Sequence, residues 1–250
     1  MLAEATGHGR AVLVSDPTIE LAPPVSRLFG EMVRRRLRRE PVAYIVGRKG
    51  FRRLELAVDR RVLIPRPETE LLVEIALERE PATLLDVGTG SGAIALAVAD
   101  ELPGCQVTAT DTSPPALEVA RANADRLGLG DRVRFLDGTV PSGEAFELVV
   151  ANLPYVEEPA WASLQPEVTR WEPPEALLAG VDGLEAIRAL LTECGRGFAR
   201  TPGKTSAALA LEVGEGQAEA VRELLRESGF GAIETRCDLA GIERVVLGEP

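Results

Sequence analysis

Residues 84–92, Leu84-Leu85-Asp86-Val87-Gly88-Thr89-Gly90-Ser91-Gly92, constrain the fold of this chain more than any other stretch. A short apolar run ends as a buried strand, three glycines at alternate positions turn the backbone sharply, and a helix opens over 91–101. A strand that passes into a helix through glycine belongs to an α/β sheet, and the rest of the chain repeats that alternation. Strands are expected at 82–87, 105–110, 132–136, 146–151, 207–213, 232–238 and 242–247, with further helices at 114–127, 183–199 and 216–228. Helical or loop crossovers between the first four strands predict a parallel sheet with right-handed connections. Only Leu239, Ala240 and Gly241 separate the last two strands, which therefore pair as an antiparallel hairpin. The expected architecture is a Rossmann-like α/β fold with a seven-stranded, mostly parallel sheet and an antiparallel last strand.

Upstream of this core, residues 1–26 carry no clear period, 27–39 read as a helix, and Pro41 stops it. Alternation of Phe51, Leu54, Leu56, Val58, Val62 and Ile64 predicts a hairpin within 44–64. The stiff segment Pro65-Arg66-Pro67-Glu68-Thr69-Glu70 enters a helix at about Glu68, with Leu71, Leu72, Ile75 and Ala76 on its apolar stripe. The chain thus divides into a short helical region (1–40), a hairpin and linker (41–70) and the main domain (71–250). Residues 152–182 hold Pro154, Pro159, Pro166, Pro173 and Pro174, and a connection of that length is functional or mobile.

Composition removes several classes of chemistry. No apolar run approaches the roughly 20 residues that span a bilayer. With no secretory pattern at the start, a cytoplasmic protein is expected. Cys105, Cys194 and Cys237 share no metal or redox spacing, and His8 is the single histidine. Ser-His-Asp, Cys-His and metal mechanisms are therefore disfavoured. Net charge is −11, unevenly spread: 27–61 holds 12 Lys/Arg against 4 Asp/Glu, and the remainder 16 against 35. The arginines at 34, 35, 36, 38 and 39 read as the solvated face of a helix, or else as a docking surface for an acidic partner or RNA. The acidic body argues against extended duplex binding.

The glycine loop is G-x-G-x-G and lacks the fourth-interval glycine of the dinucleotide fingerprint. Asp86 beneath it would repel a pyrophosphate and attract an ammonium group. Asp111 follows the second strand, where a carboxylate can accept from both ribose hydroxyls. Asp137 and Gly138 follow the third, beside an adenine pocket. Helix capping or turn formation competes for both acids when they are taken alone. Set after consecutive strands, Asp86, Gly88, Thr89, Gly90, Ser91, Gly92, Asp111, Asp137 and Gly138 read together as a class I S-adenosylmethionine site, and Asn152 borders it.

Asn152-Leu153-Pro154-Tyr155 follows the apolar run at 146–151. One amide side chain, one constrained carbonyl and one ring at a strand end suit a planar –NH2: Asn152 Oδ1 and the Leu153 carbonyl accept its two N–H bonds, and Tyr155 packs on its plane. With the loop upstream, this predicts methyl transfer to an amide or amino nitrogen, S-adenosylhomocysteine being the other product. A plain strand-end turn, with Asn152 capping it and Tyr155 in the core, is the competing reading.

From about Glu40 to Gly248 the chain resembles the protein-(glutamine-N5) methyltransferases of peptide chain release factors, the HemK/PrmC family. The likeness rests on Glu40-Pro41-Val42-Ala43-Tyr44-Ile45, Ile64-Pro65-Arg66-Pro67-Glu68-Thr69-Glu70, the loop at 86–92, Asn152-Leu153-Pro154-Tyr155 and Glu243-Arg244-Val245-Val246-Leu247-Gly248. The resemblance implies a small N-terminal helical domain, a release factor as protein partner and the Gln of its Gly-Gly-Gln motif as substrate. It also implies that Arg66, Pro67 and Glu68 border the cleft with Asn152, Leu153, Pro154 and Tyr155. Three departures stand out. Leu153 replaces the usual first proline of Asn-Pro-Pro-Tyr, which removes a fixed φ and predicts looser positioning with the same reaction. Only 39 residues precede Glu40, which predicts a shortened helical domain. Gly138 stands where some relatives carry an aromatic. Two other readings remain at this point: an adenine-N6 methyltransferase on RNA or DNA, which needs a basic cleft and stacking aromatics, and a non-catalytic S-adenosylmethionine-binding protein.

Overall fold

The computed structural model describes residues 1–16, 18–197 and 207–249. Helices α1 (Leu2–Thr6), α2 (Arg10–Ser15), α3 (Pro23–Leu37) and α4 (Val42–Val46) precede a two-stranded hairpin, β1 (Arg48–Phe51) and β2 (Leu54–Ala57). A 3-10 turn, Pro67–Thr69, leads into α5 (Glu70–Arg79). Then follow β3 (Thr83–Val87), α6 (Ala93–Glu101), β4 (Gln106–Asp111), α7 (Pro114–Leu127), β5 (Val133–Asp137) and β6 (Leu148–Ala151). After α8 (Pro166–Thr169) come α9 (Glu185–Gly197), β7 (Ala208–Glu212), α10 (Ala218–Glu227), β8 (Ala232–Cys237) and β9 (Glu243–Glu249).

The main sheet has the order β5-β4-β3-β6-β7-β9-β8. Strands β3 to β7 run parallel, and β9 pairs antiparallel with both β7 and β8. The architecture is the expected mixed seven-stranded one. The final strand inserts between β7 and β8, so the reversed strand is interior and β8 takes the edge. Strand β3 has β4 on one side and β6 on the other, so the chain reverses direction across the sheet there. Loops leaving β3 and β6 diverge at such a switch point and open a crevice at the strands' carboxyl ends.

Side-chain alternation along β3 feeds two cores. Leu84 joins the α5 and α6 side, while Leu85 and Val87 join a second cluster with Ile187, Leu190, Val221 and Leu225. Every residue from Ala93 to Ala99 in α6 is buried, as expected of a helix pressed on a sheet and covered by α5. The Ser-Pro-Pro start of α7 caps itself, with Ser113 Oγ accepting from Ala116 N at 3.3 Å, and Gly128 closes it at φ 71°.

The N-terminal half departs from expectation. The hairpin is confined to residues 48–57. Tyr44 sits in α4, because Pro41 starts a helical turn that Gly47 ends at φ 74°. Val58, Val62 and Ile64 are buried, yet they pack as an irregular segment with Tyr44, Ala116 and Val119, and the Tyr44 hydroxyl donates to the Val62 carbonyl at 2.6 Å. The arginine run is only partly a solvated face. Arg35 makes a paired contact with Glu40 and donates to the Tyr44 and Ile45 carbonyls, while Arg36 and Arg39 both reach Glu167 in α8. Arg34 and Arg38 remain exposed. Residues 198 and 199 of the expected 183–199 helix lie outside the described residues. No described helix is long and apolar enough to cross a membrane.

Candidate active site

An open cavity of about 190 Å³ lies at the carboxyl ends of β3, β4 and β6. Of the expected residues, Arg66, Gly88, Thr89, Gly90, Ser91, Asp111, Gly138, Asn152, Leu153 and Pro154 line it. Asp86, Gly92, Asp137, Pro67, Glu68 and Tyr155 do not.

The glycine loop is held from below and from the side. Gly88 N and Thr89 N both donate to the Thr110 carbonyl at 2.9 Å, and Gly92 N to Thr89 O at 2.8 Å. Gly88, Gly90 and Gly92 have φ of 74°, 57° and 84°, the region that favours glycine. At Gly92 a Cβ would come within 2.9 Å of Leu96 Cδ1, whereas at Gly90 it would meet nothing within 4 Å, because that face is open cleft. Asp86 is fully buried. Its Oδ2 accepts from Thr89 Oγ1 at 2.7 Å and Ala95 N at 3.1 Å, and Oδ1 has no partner among the described residues. Burial pushes this carboxyl up to about 7, against those two hydrogen bonds. Asp86 therefore shapes the loop from beneath and is not itself on the cavity wall.

Asp111, at the end of β4, accepts from Gly90 N at 2.8 Å and Ser113 N at 2.9 Å. Burial raises its pKa against these bonds. A carboxylate has about four acceptor positions, so both oxygens keep capacity toward the cleft. Asp137 is exposed beside it, and Gly138 N donates to the Asp111 carbonyl at 3.0 Å.

The loop after β6 meets the glycine loop directly. A Cβ on Gly88 would lie 3.2 Å from Leu153 Cδ2, so the close approach is made with glycine. Leu153 also packs on the second core cluster, and this anchor stands where a proline ring would have fixed the backbone. Asn152 Nδ2 donates to Thr69 Oγ1 at 3.0 Å. That leaves Asn152 Oδ1 and the Leu153 carbonyl without donors among the described residues, and both belong to residues on the cavity wall.

Tyr155 is half-buried and is not on the cavity wall. Its carbonyl accepts from Gln217 Nε2 at 3.0 Å, its ring borders Gly214, and burial pushes its hydroxyl up to about 12.

Several residues around the site carry no motif of their own. Glu172, buried in the long loop, accepts from Ile64 N at 3.1 Å and pairs with Arg66. The Arg60 guanidinium lies 4.2 Å over the Trp171 ring. Together these contacts fasten residues 152–182 across the 60–66 segment, so this connection is latched rather than loose. Asn123 in α7, 0 % exposed, bonds Ala57 and the Ser91 carbonyl. Glu212, 3 % exposed at the end of β7, lies against Thr69. Burial pushes Glu212 up to about 7. The local signal for Thr69 was its place in the 64–70 segment; Glu172, Asn123 and Glu212 had none.

The geometry is matched by what the chain resembles. A methyltransferase domain model matches residues 84–175, and a PrmC N-terminal domain model matches residues 1–47. The release factor glutamine methyltransferase of Caulobacter vibrioides is 41% identical over 99% of this chain and 86% of its own length. That of Xylella fastidiosa is 42% identical over 99% of this chain and 90% of its own. Among solved structures, the hMettl16 catalytic domain in complex with a MAT2A 3'UTR hairpin superposes with a TM-score of 0.61 over 78% of this chain and 74% of its own, at 16% identity. At that identity the likeness is one of fold.

Proposed function

The chain belongs to the release factor glutamine methyltransferases, and from that premise we propose how its cleft carries out the reaction. Membership selects a side-chain amide of a protein over the exocyclic amine of a base. The methyl donor is S-adenosylmethionine, the protein partner a release factor met in the cytoplasm, and the acceptor the Gln of its Gly-Gly-Gln motif. The residues present fit such a donor. Gly90 leaves an open cradle that a side chain would fill, and Asp111 stands at the end of the next strand with acceptor capacity for ribose hydroxyls. Bound there, S-adenosylmethionine supplies an electrophilic methyl on a sulfonium.

An amide nitrogen is a weak nucleophile because its lone pair is delocalised into the carbonyl. The chain's task is to hold that nitrogen in line and favour the charge that builds on it. Asn152 Oδ1 and the Leu153 carbonyl accept the two N–H bonds, and these bonds strengthen as positive charge develops. Positioning of this kind is worth several kcal/mol, up to about 7–11 in favourable cases. Arg66, Pro154 and Gly138 complete the walls, and Pro67 and Glu68, which follow Arg66 in the chain, are assigned to the substrate.

The observation that carries this reading is the pair of acceptors at the end of β6 left without donors among the described residues, beside a glycine loop with an open face. The test is mass spectrometry of a bacterial release factor incubated with the protein and S-adenosylmethionine. One added methyl on the Gln of Gly-Gly-Gln is expected, lost in Asn152→Ala with donor affinity within about twofold of wild type. Donor binding without any methyl on the factor would overturn the reading, and full turnover by Asn152→Ala would remove that residue from the mechanism.

A further inference from the structure

An asparagine amide is nearly symmetric in shape, so what it presents to a ligand depends on what holds its other end. Asn152 Nδ2 donates to Thr69 Oγ1 at 3.0 Å. Thr69 is 4 % exposed and closes the 3-10 turn before α5, on the far side of the cleft from β6 in sequence but in contact with it in space. A hydroxyl has one proton and two acceptor positions, so it holds Asn152 in this orientation only while its own proton is directed elsewhere. The group placed to take it is Glu212, which is buried, bears on the Thr69 hydroxyl, and has no hydrogen-bond partner for its Oε2 among the described residues. Glu212 is the last residue of β7, next in the sheet to β6, which ends beside Asn152. Such a buried carboxyl group is costly when charged, keeps an acceptor oxygen whether charged or neutral, and is not used in the transfer step itself.

We propose that Glu212 and Thr69 form a positioning relay, in which Glu212 accepts a hydrogen bond from the Thr69 hydroxyl so that Thr69 accepts from Asn152 Nδ2 and Asn152 Oδ1 is turned to the acceptor nitrogen. Without the relay the amide rotates freely. Half of its orientations then present an N–H to the substrate N–H, and donor faces donor. The inference rests on the mechanism proposed above for Asn152, but its first readout does not.

The chain contains two asparagines, Asn123 and Asn152. Labelling with 15N-asparagine therefore gives two side-chain NH2 signals, and Asn152→Ala assigns them. In the wild type, one Asn152 Nδ2 proton should exchange slowly with solvent. Thr69→Val should speed that exchange at least tenfold and lower kcat roughly tenfold, the size of one oriented hydrogen bond, with donor Kd within about twofold of wild type. Thr69→Ser, which keeps the hydroxyl, should restore both. Glu212→Leu should loosen the Asn152 signal without touching that residue. Where Thr69→Val does not fold, Thr69→Ala removes the hydroxyl without added shape and carries the same expectations. Wild-type exchange at Asn152 in the Thr69 variants would overturn the relay, and wild-type exchange in Glu212→Leu would overturn the part given to Glu212. Absence of methyl transfer by a wild type with the protected signal would count against the proposed function alone, because exchange is read without substrate.

Discussion

Replacing Asn123 with leucine should cost more than its place on a surface helix suggests. Val58 N donates to the Gly47 carbonyl, so the neighbouring Ala57 turns its N–H and C=O away from β1. Asn123 meets both as a strand residue would: Oδ1 accepts from Ala57 N at 2.7 Å, and Nδ2 donates to Ala57 O at 3.0 Å. The second Nδ2 proton goes to the Ser91 carbonyl at 2.9 Å, in the glycine loop. Leucine has a similar volume but leaves three backbone groups without partners in a fully buried place. At about 1 kcal/mol for each hydrogen bond, and more where a group stays dry, the loss is about 3–5 kcal/mol. That is a large share of the roughly 5–15 kcal/mol that holds a domain together. Equilibrium urea denaturation should show a midpoint about 1 M or more below wild type, for a slope near 3 kcal/mol/M. Affinity for S-adenosylmethionine should fall with it, because the Ser91 carbonyl no longer has its anchor. A midpoint within about 0.3 M of wild type, with unchanged donor affinity, would refute the idea that this amide stitches the hairpin to the loop.

Three further outcomes follow from the same contacts. Glu172→Ala leaves Ile64 N without an acceptor and Arg66 without its partner; since Arg66 is about a third exposed, a loss of about 2–3 kcal/mol is expected, and urea curves overlying wild type would sink the latch. Asp111→Ala should mainly weaken donor binding, which calorimetric titration reads, and wild-type affinity would end its assignment. Asp86 and Glu212 are both raised to about 7 by burial, so the folded state binds more protons than the unfolded chain between about pH 4 and 7. Stability contributed by the neutral forms is present below the unfolded pKa and lost as pH rises through the folded one. Unfolding free energy should therefore fall from pH 5 to 7.5, with a shallower fall in Asp86→Asn. A rise over that window would show that neither carboxyl is held neutral.

What could be read in advance, and what could not, divides along the range of the forces involved. Strands β3 to β9 and the helices between them announced themselves because hydrophobic period and glycine placement are local, and their observed bounds shift by a residue or two from the expected ones. The 44–64 segment misled because buried apolar residues at alternating positions serve an irregular chain as well as a strand. There Val62 and Ile64 are buried against Tyr44 and α7, with no sheet neighbour to make the alternation mean pairing. The candidate site divides in the same way. Glycines with positive φ and the strand-end Asn152 carry their chemistry in sequence, because backbone conformation and strand position determine what they present. Tyr155 shares that motif but stands off the cavity wall, its ring beside Gly214 and its carbonyl accepting from Gln217, sixty-two residues on. Asn123, Glu172 and Glu212 are ordinary residue types at unremarked positions, and each acquires its role only when a distant backbone or hydroxyl group arrives beside it. The residues assigned to substrate and donor are thus written locally, while those proposed to aim them are written in the packing. This is why a substitution such as Thr69→Val, conservative in volume, should be felt at Asn152.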